Sequence, residues 1–262
     1  MEQLHIIKIG GNIIDDEYAL QKFLKNFADL EGHKILVHGG GKLATDLADK
    51  MNLPQQMQAG RRITDEATLK LVTMVYAGFI NKNIVAKLQA LYCNAIGLSG
   101  ADGNFIRTKR RPIGKIDFGF VGDIVADSIN HTLVRSLLQN NYSIVVAPIT
   151  HDGNGQLLNT NADTIAATIA ITMATQFNTI LIYCFDKKGI LQDVNDETTL
   201  IKQVNEKNIQ SLKASFAISE GMLPKVANAM DAIKANVKRV VLGHANDFAK
   251  LVAGEAGTNI TA

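Results

Sequence analysis

Residues 4–11 read Leu4-His5-Ile6-Ile7-Lys8-Ile9-Gly10-Gly11. A short, β-branched apolar run closed by a glycine pair predicts a buried strand over Leu4–Ile9 that ends in a tight turn. Lys8 is the exception within it. An ammonium inside such a run is expensive unless it meets an anion or reaches solvent at the strand end. Both readings stand on these residues alone. The glycine pair removes side chains where a ligand can approach the backbone.

Working outward, Lys34–Val37 predicts a second strand, followed by His38-Gly39-Gly40-Gly41 and a short helix over Lys42–Lys50. Further strands are expected over Ala95–Ser99, Tyr142–Ile149, Thr179–Phe185 and Val237–Leu242, with an edge strand over Gly257–Thr261. Helices are expected over Asp15–Leu30, Asn130–Gln139, Asp163–Thr175 and Met222–Lys234. Another starts at Thr64-Asp65-Glu66, with the Thr64 hydroxyl as cap, and runs with a break near Gly78 to Tyr92. Residues Phe105–Val121 alternate and contain turn residues, which predicts hairpin structure beside the main sheet. Asp152–Gly155 reads as a turn. Strands alternating with helices imply an α/β fold whose mostly parallel sheet is covered on both faces. In such sheets ligands sit beyond the carboxyl ends of the strands, where this sequence keeps its glycines.

The 262 residues suit one large domain or two fused lobes, and 47% hydrophobic content fills a large core. A formal charge of +2 gives no broad attraction for nucleic acid or an anionic membrane. The one basic cluster, Arg107–Lys115, reads as a solvated hairpin face. Cys93 and Cys184 are far apart and form no metal or disulfide pattern, which fits a reducing cytoplasm. The chain enters an apolar strand at once, without a signal-peptide pattern, and no apolar run reaches the roughly 18–20 residues of a membrane span.

Four further constellations carry chemistry. His38–Gly41 lets successive N–H groups face a phosphate or carboxylate at a helix start. It lacks the Walker A spacing, because Lys42 precedes Leu43. Gly39-x-Gly41-x-x-Ala44 matches a loose dinucleotide fingerprint, but no acid ends the next strand to hold a ribose. His38 itself is either a base or a structural histidine. Arg61-Arg62-Ile63-Thr64-Asp65 is either surface charge before a helix or a fork for a carboxylate. Asn159-Thr160-Asn161-Ala162-Asp163 puts two amides and an acid where one cap suffices. Gly221-Met222-Leu223-Pro224-Lys225 puts a cation in a first helical turn, against the helix dipole, so it either points to water or faces a polyphosphate.

Two lysines from opposite ends of the chain, two glycine turns and one acid suggest phosphoryl transfer, in which charge on the equatorial oxygens is stabilised by positioned cations. Lys8 and Lys225 provide the charge and Asp163 orients both. No general base stands out. None is needed if the nucleophile is a carboxylate, with a pKa of about 4, and Arg62 then grips a second carboxylate of a dicarboxylic acceptor.

In these residues the chain resembles the amino acid kinase family, and within it the members that phosphorylate N-acylated glutamate. The resemblance covers essentially the whole chain. It rests on Lys8–Gly11, His38–Gly41, Gly60–Thr64, Gly97–Gly103, Asn159–Asp163, Gly221–Lys225 and Gly257–Ile260. It implies an open αβα sandwich with one continuous sheet. A lobe of residues 1–160 would bind the acyl-amino acid and dimerise, and a lobe of residues 161–262 would bind ATP. The implied reaction turns ATP and an acylglutamate into the γ-acyl phosphate, in arginine biosynthesis. Lys8 and Lys225 would contact the transferring phosphoryl group and Asp163 would organise them. Gly11, Gly40 and Gly41 would give backbone contacts to phosphate. Gly40, Gly41, Arg62, Asn159 and Asn161 are assigned to the acyl substrate, and Gly10, Gly11, Asp186 and Gly221 to nucleotide and phosphate. Mg²⁺ would ride on ATP rather than in a protein cage. The expected assembly is a homodimer without arginine feedback, since arginine-inhibited relatives carry an extra helix before the first strand.

Two departures from the family pattern stand out. The nucleotide-side strand ends Phe185-Asp186-Lys187-Lys188-Gly189 instead of Asp-Val-x-Gly, and the lysines are read as facing water. Arg61 stands where relatives tend to carry an apolar residue, and is read as meeting an extra negative charge on the acyl group, such as a succinyl chain. Rival readings are another member of the same family, such as glutamate 5-kinase or aspartokinase, a dinucleotide-dependent dehydrogenase, and a binding protein that keeps the fold without turnover.

Overall fold

The computed structural model describes every residue except 59–60, 126, 194, 206, 208–222 and 262. Its centre is an eight-stranded sheet. From edge to edge the strands are Gln203–Val204, Thr258–Ile260, Arg239–His244, Asn178–Phe185, Gln3–Ile9, His33–His38, Ser143–Val146 and Ala95–Leu98. All neighbours are parallel except Thr258–Ile260 against Arg239–His244. The Lys8 strand therefore lies inside the sheet, with Lys8 level with Tyr183 on one side and Val37 on the other.

Strand alternation divides the core in two. Leu4, Ile6, Ile35, Val37, Leu181 and Tyr183 pack on one face with the helices Ala162–Met173 and Leu223–Lys234. Ile7, Ile9, Leu36, Ile180, Ile182 and Cys184 pack on the other with Glu17–Asp29 and Asn81–Ala90. By the same parity Lys8 leaves the sheet on the face of Leu4 and Ile6. On that face the helix Ala162–Met173 starts, carrying Asp163 in its first turn. On the opposite face, buried Lys34 donates to the carbonyls of Phe27, Ala28 and Leu30 and closes the C-terminus of Glu17–Asp29, a favourable end for a cation.

A second sheet orders Lys109–Arg110, Val121–Asp123, Leu157–Thr160 and Ile149–His151. Its first two strands are the expected hairpin. The hairpin's arginines are tied down locally: Arg111 pairs with Asp123 at 2.6 Å, and Arg110 lies over the Phe120 ring.

Several boundaries depart from sequence expectation. The strand expected over Tyr142–Ile149 is split, because Pro148 has no N–H for the ladder; Ile149–His151 joins the second sheet instead. Residues Leu157–Thr160 form a further strand. The helix expected from Asp15 begins at Gly11 and is interrupted at Asp16, whose carboxylate caps Glu17–Asp29. Asp65, not Thr64, caps Glu66–Val72, by accepting from the Thr68 N–H at 2.7 Å. No break occurs at Gly78. The chain stays helical from Glu66 to Ala90 through a π-helical stretch, Thr73–Ile80, whose wider turn keeps the backbone bonded while changing the face its side chains present. Among the described residues no helix is long and apolar enough to cross a membrane.

His5 and His38 are buried in this frame, and burial lowers each pKa to about 4. The unfolded chain, with histidines near 6.5, binds more protons below that pH. Their contribution to stability is thus complete above pH 6.5 and shrinks as pH falls toward 4, by about 1.4 kcal/mol per pH unit for each histidine. Urea melts at pH 7 and pH 5 should show a clearly lower midpoint at pH 5, and equal midpoints would contradict this.

Candidate active site

The site lies beyond the carboxyl ends of the central strands. Lys8 Nζ is 2.7 Å from Asp163 Oδ1, and Lys225 Nζ donates to Asp163 Oδ2 at 2.6 Å. The three side chains are 10–21% exposed. Burial alone would raise the Asp163 carboxyl, but Lys8 and Lys225 outweigh it and hold it below the usual carboxylate range. The trio thus carries one surplus positive charge. Tyr183, beside Lys8 in the sheet, donates its hydroxyl to the Asp163 carbonyl at 3.0 Å and pins the start of that helix. Asn161 caps the same helix by accepting from the Thr164 N–H at 3.0 Å.

Next to this group is a cleft of about 190 Å³. Gly39, Gly40, Gly41, Arg61, Arg62, Tyr76, Asn159 and Asn161 are among its lining residues, and among the described residues no acid lines it. Ala162 lines it too, so the cleft meets the Asp163 trio along the chain itself. Arg62 is 8% exposed, which overturns the surface-charge reading. It donates to Gln55 Oε1, to the Gly41 carbonyl at 3.0 Å and to Thr45 Oγ1 at 2.8 Å, leaving part of its five-donor fork for a ligand. Arg61 is exposed, opposite Gln58 in the short hairpin before it. Asn159 donates to Thr64 Oγ1 at 3.1 Å, and Thr64 in turn bonds the Arg62 carbonyl, so the amide and the arginine share one scaffold.

Gly40 has φ +146°, and a Cβ there would lie 2.2 Å from Ile80 Cδ1. Only glycine fits. Gly41 opens the helix Gly41–Lys50, whose first N–H groups lack intrahelical acceptors. Gly11 likewise opens Gly11–Asp15. The Gly10 N–H is engaged within the protein, donating to the Cys184 carbonyl at 3.1 Å. Asp186 is an exposed bend residue after Asn178–Phe185, outside the cleft, and Lys188 pairs at the surface with Glu197 at 2.8 Å. Gly60 and Gly221 lie outside the described residues. Among the described residues no three His, Cys, Asp or Glu side chains gather to hold a metal ion.

The sequence did not single out Tyr76, Ile80 or Asn81, which underlie the glycine turn. Asn81 carried no distinguishing signal, because it stands in Asn81-Lys82-Asn83 and its burial is a tertiary fact.

Residues 3–244 match the Amino acid kinase family. The chain belongs to the amino acid kinase family. Among its relatives, an acetylglutamate kinase from Cytophaga hutchinsonii is 49% identical over 96% of this chain and 95% of its own. An acetylglutamate kinase from Bacteroides fragilis is 47% identical over 99% and 97%. The solved N-acetylglutamate synthase from Neisseria gonorrhoeae, in complex with coenzyme A and N-acetyl-glutamate, superposes with a TM-score of 0.83 at 20% identity; it covers all of this chain and 59% of its own. At that identity the likeness concerns the fold alone. The open αβα sandwich and mostly parallel sheet of the amino acid kinase fold are thereby established for this chain.

Replacing Asp163 with Ala leaves two ammonium groups facing each other without their counter-charge. The expected loss is about 3–5 kcal/mol of folding stability, read by chemical denaturation at pH 7. A loss below about 1 kcal/mol would mean the trio is solvated rather than buried.

Proposed function

We propose that the chain transfers the γ-phosphoryl group of ATP to the γ-carboxylate of N-acetyl-L-glutamate, giving the acyl phosphate used in arginine biosynthesis. The observation that carries this reading is the convergence of Lys8 and Lys225 on Asp163, beside an acid-free cleft with a buried arginine. Full-length relatives named acetylglutamate kinase support the substrate.

The acceptor carboxylate is ionised at neutral pH and needs no base. Its oxygen bonds to the γ-phosphorus as the bond to the β-phosphate oxygen breaks, and ADP leaves with the electron pair. Charge on the transferring group meets the two ammonium groups and the outward N–H groups of Gly11, Gly40 and Gly41. Asp163 keeps the lysines apart and correctly aimed. Arg62, Asn159 and Asn161 hold the α-carboxylate and acylamino part. Gly10, Asp186 and Gly221 belong to the nucleotide side, in a lobe of residues 161–262, while residues 1–160 bind the acyl-amino acid. Mg²⁺ arrives on the ATP phosphates, neutralising part of their charge. Two free buried thiols fit a cytoplasmic enzyme.

A coupled ADP-release assay with glutamate, acetylglutamate, succinylglutamate and aspartate tests the reading. Acetylglutamate should support turnover; aspartate should not. Lys8→Ala should lower kcat by about 100-fold or more, whereas Arg62→Lys should chiefly raise KM for the acyl substrate. Failure of every acyl-glutamate to release ADP would sink the assignment. In the same assay, Arg61→Leu separates acyl groups: selective loss on succinylglutamate supports recognition of a second charge, and equal loss on both removes it.

We also propose a homodimer built on Glu66–Ala90. This helix exposes Met74 (54%) and Phe79 (63%) beside Leu43 and Leu47, an apolar patch of the kind that marks an interface. Light scattering should give twice the chain mass, and Phe79→Glu should give a monomer; a monomeric parent protein would refute it.

A further inference from the structure

The glycine turn is anchored from beneath by a residue the reaction does not use directly. His38 is the last residue of its strand and is fully buried. Its Nδ1 lies 2.8 Å from the Gly39 carbonyl oxygen. A carbonyl only accepts, so Nδ1 carries the hydrogen. Its Nε2 lies 3.3 Å from Asn81 Nδ2. The orientation of the Asn81 amide is fixed independently: Nδ2 also donates to the Val145 carbonyl at 3.0 Å, and Oδ1 accepts from Lys82 Nζ at 3.1 Å. Nε2 is therefore the acceptor. The tautomer is assigned from both sides of the ring by donor and acceptor logic. Burial keeps the ring neutral, and Lys82, which also donates to the Gly97 carbonyl at 2.7 Å, opposes a second proton.

The consequence lies one bond further along. In a trans peptide the C=O and the following N–H point in opposite directions, and this chain has no cis peptide among its described residues. With the Gly39 carbonyl drawn toward the buried ring, the Gly40 N–H faces away from it, toward the cleft that Gly39–Gly41 line. That N–H has no partner among the described residues. Ile80 and Tyr76 occupy the space that a Cβ on Gly40 would need.

We infer that His38 is a positioning residue for phosphoryl transfer: it locks the Gly39–Gly40 peptide so that the Gly40 N–H is aimed at the transferring group. This rests on the kinase reading above. Removing a single preorganised donor of this kind costs about 10²–10³ in kcat, and a misaimed donor keeps part of that. Asn at position 38 places an amide donor near the Nδ1 position, Gln places its amide nearer the Nε2 position, and Leu supplies neither.

The expected result is that His38→Leu and His38→Gln lose about 10–100-fold in kcat with KM for acetylglutamate changed less than about 3-fold, while His38→Asn stays within about 3-fold of the parent. A second readout does not need turnover. On addition of ATP and Mg²⁺, the Gly40 amide signal in ¹⁵N-resolved NMR should shift in the parent and in His38→Asn, and should not shift in His38→Leu. Parent turnover with equal kcat in all three variants, loss that follows melting temperature or appears only in KM, or a Gly40 signal unmoved in the parent, each overturns the inference. A parent enzyme that releases no ADP with any acyl-glutamate instead sinks the kinase reading beneath it.

Discussion

A carboxylate buried between two ammonium groups sets the terms for everything around it. Burial works against the ionised form of Asp163, and Lys8 and Lys225 outweigh it. The pair of lysines nevertheless exceeds what one acid can neutralise. The surplus charge, in a neighbourhood whose cleft contains no acid, leaves the free site electrostatically incomplete. A polyphosphate restores the balance, so the same arrangement that holds two chain segments together also creates the demand for a ligand.

The sheet converts this demand into geometry. Alternation along Leu4–Ile9 sends Lys8 to the face where the helix of Asp163 begins, and a shift of one residue in register would send it to the other. The first turns of Ala162–Met173 and Leu223–Lys234 then meet it. The helix dipole favours Asp163 at its position and disfavours Lys225 at its own. Lys225 is tolerated because it faces that carboxylate.

Much of this was legible in the sequence. A lone lysine in an isoleucine-rich strand, three glycines after a strand, and two amides and an acid ahead of a helix each violate a local expectation. Violations of that kind cluster where a ligand belongs. Other features were hidden because they depend on residues distant in sequence. The burial of Arg62 against Gln55 and Thr45 is a tertiary fact, as is the support that Tyr183 gives Asp163. The π-helical stretch leaves no reliable mark in the sequence, since its apolar residues also satisfy an α-helical reading, and Gly78 suggests a break that the backbone does not make. Pro148 did carry the signal that its strand had to end, but an apolar run on both sides concealed it. The amide of Asn81, likewise, acquires meaning only once His38 is beside it.

The order of assembly follows from where the central strand sits. Lys8 is separated from Asp163 by 155 positions (163 − 8) and from Lys225 by 217 (225 − 8), and its strand is bordered by His33–His38 on one side and Asn178–Phe185 on the other. Contacts so remote in sequence form late and slowly. A chain cut just before residue 225 holds Lys8 and Asp163 but lacks the second ammonium of the trio. The architecture makes closure across these long sequence separations a condition for assembling the trio.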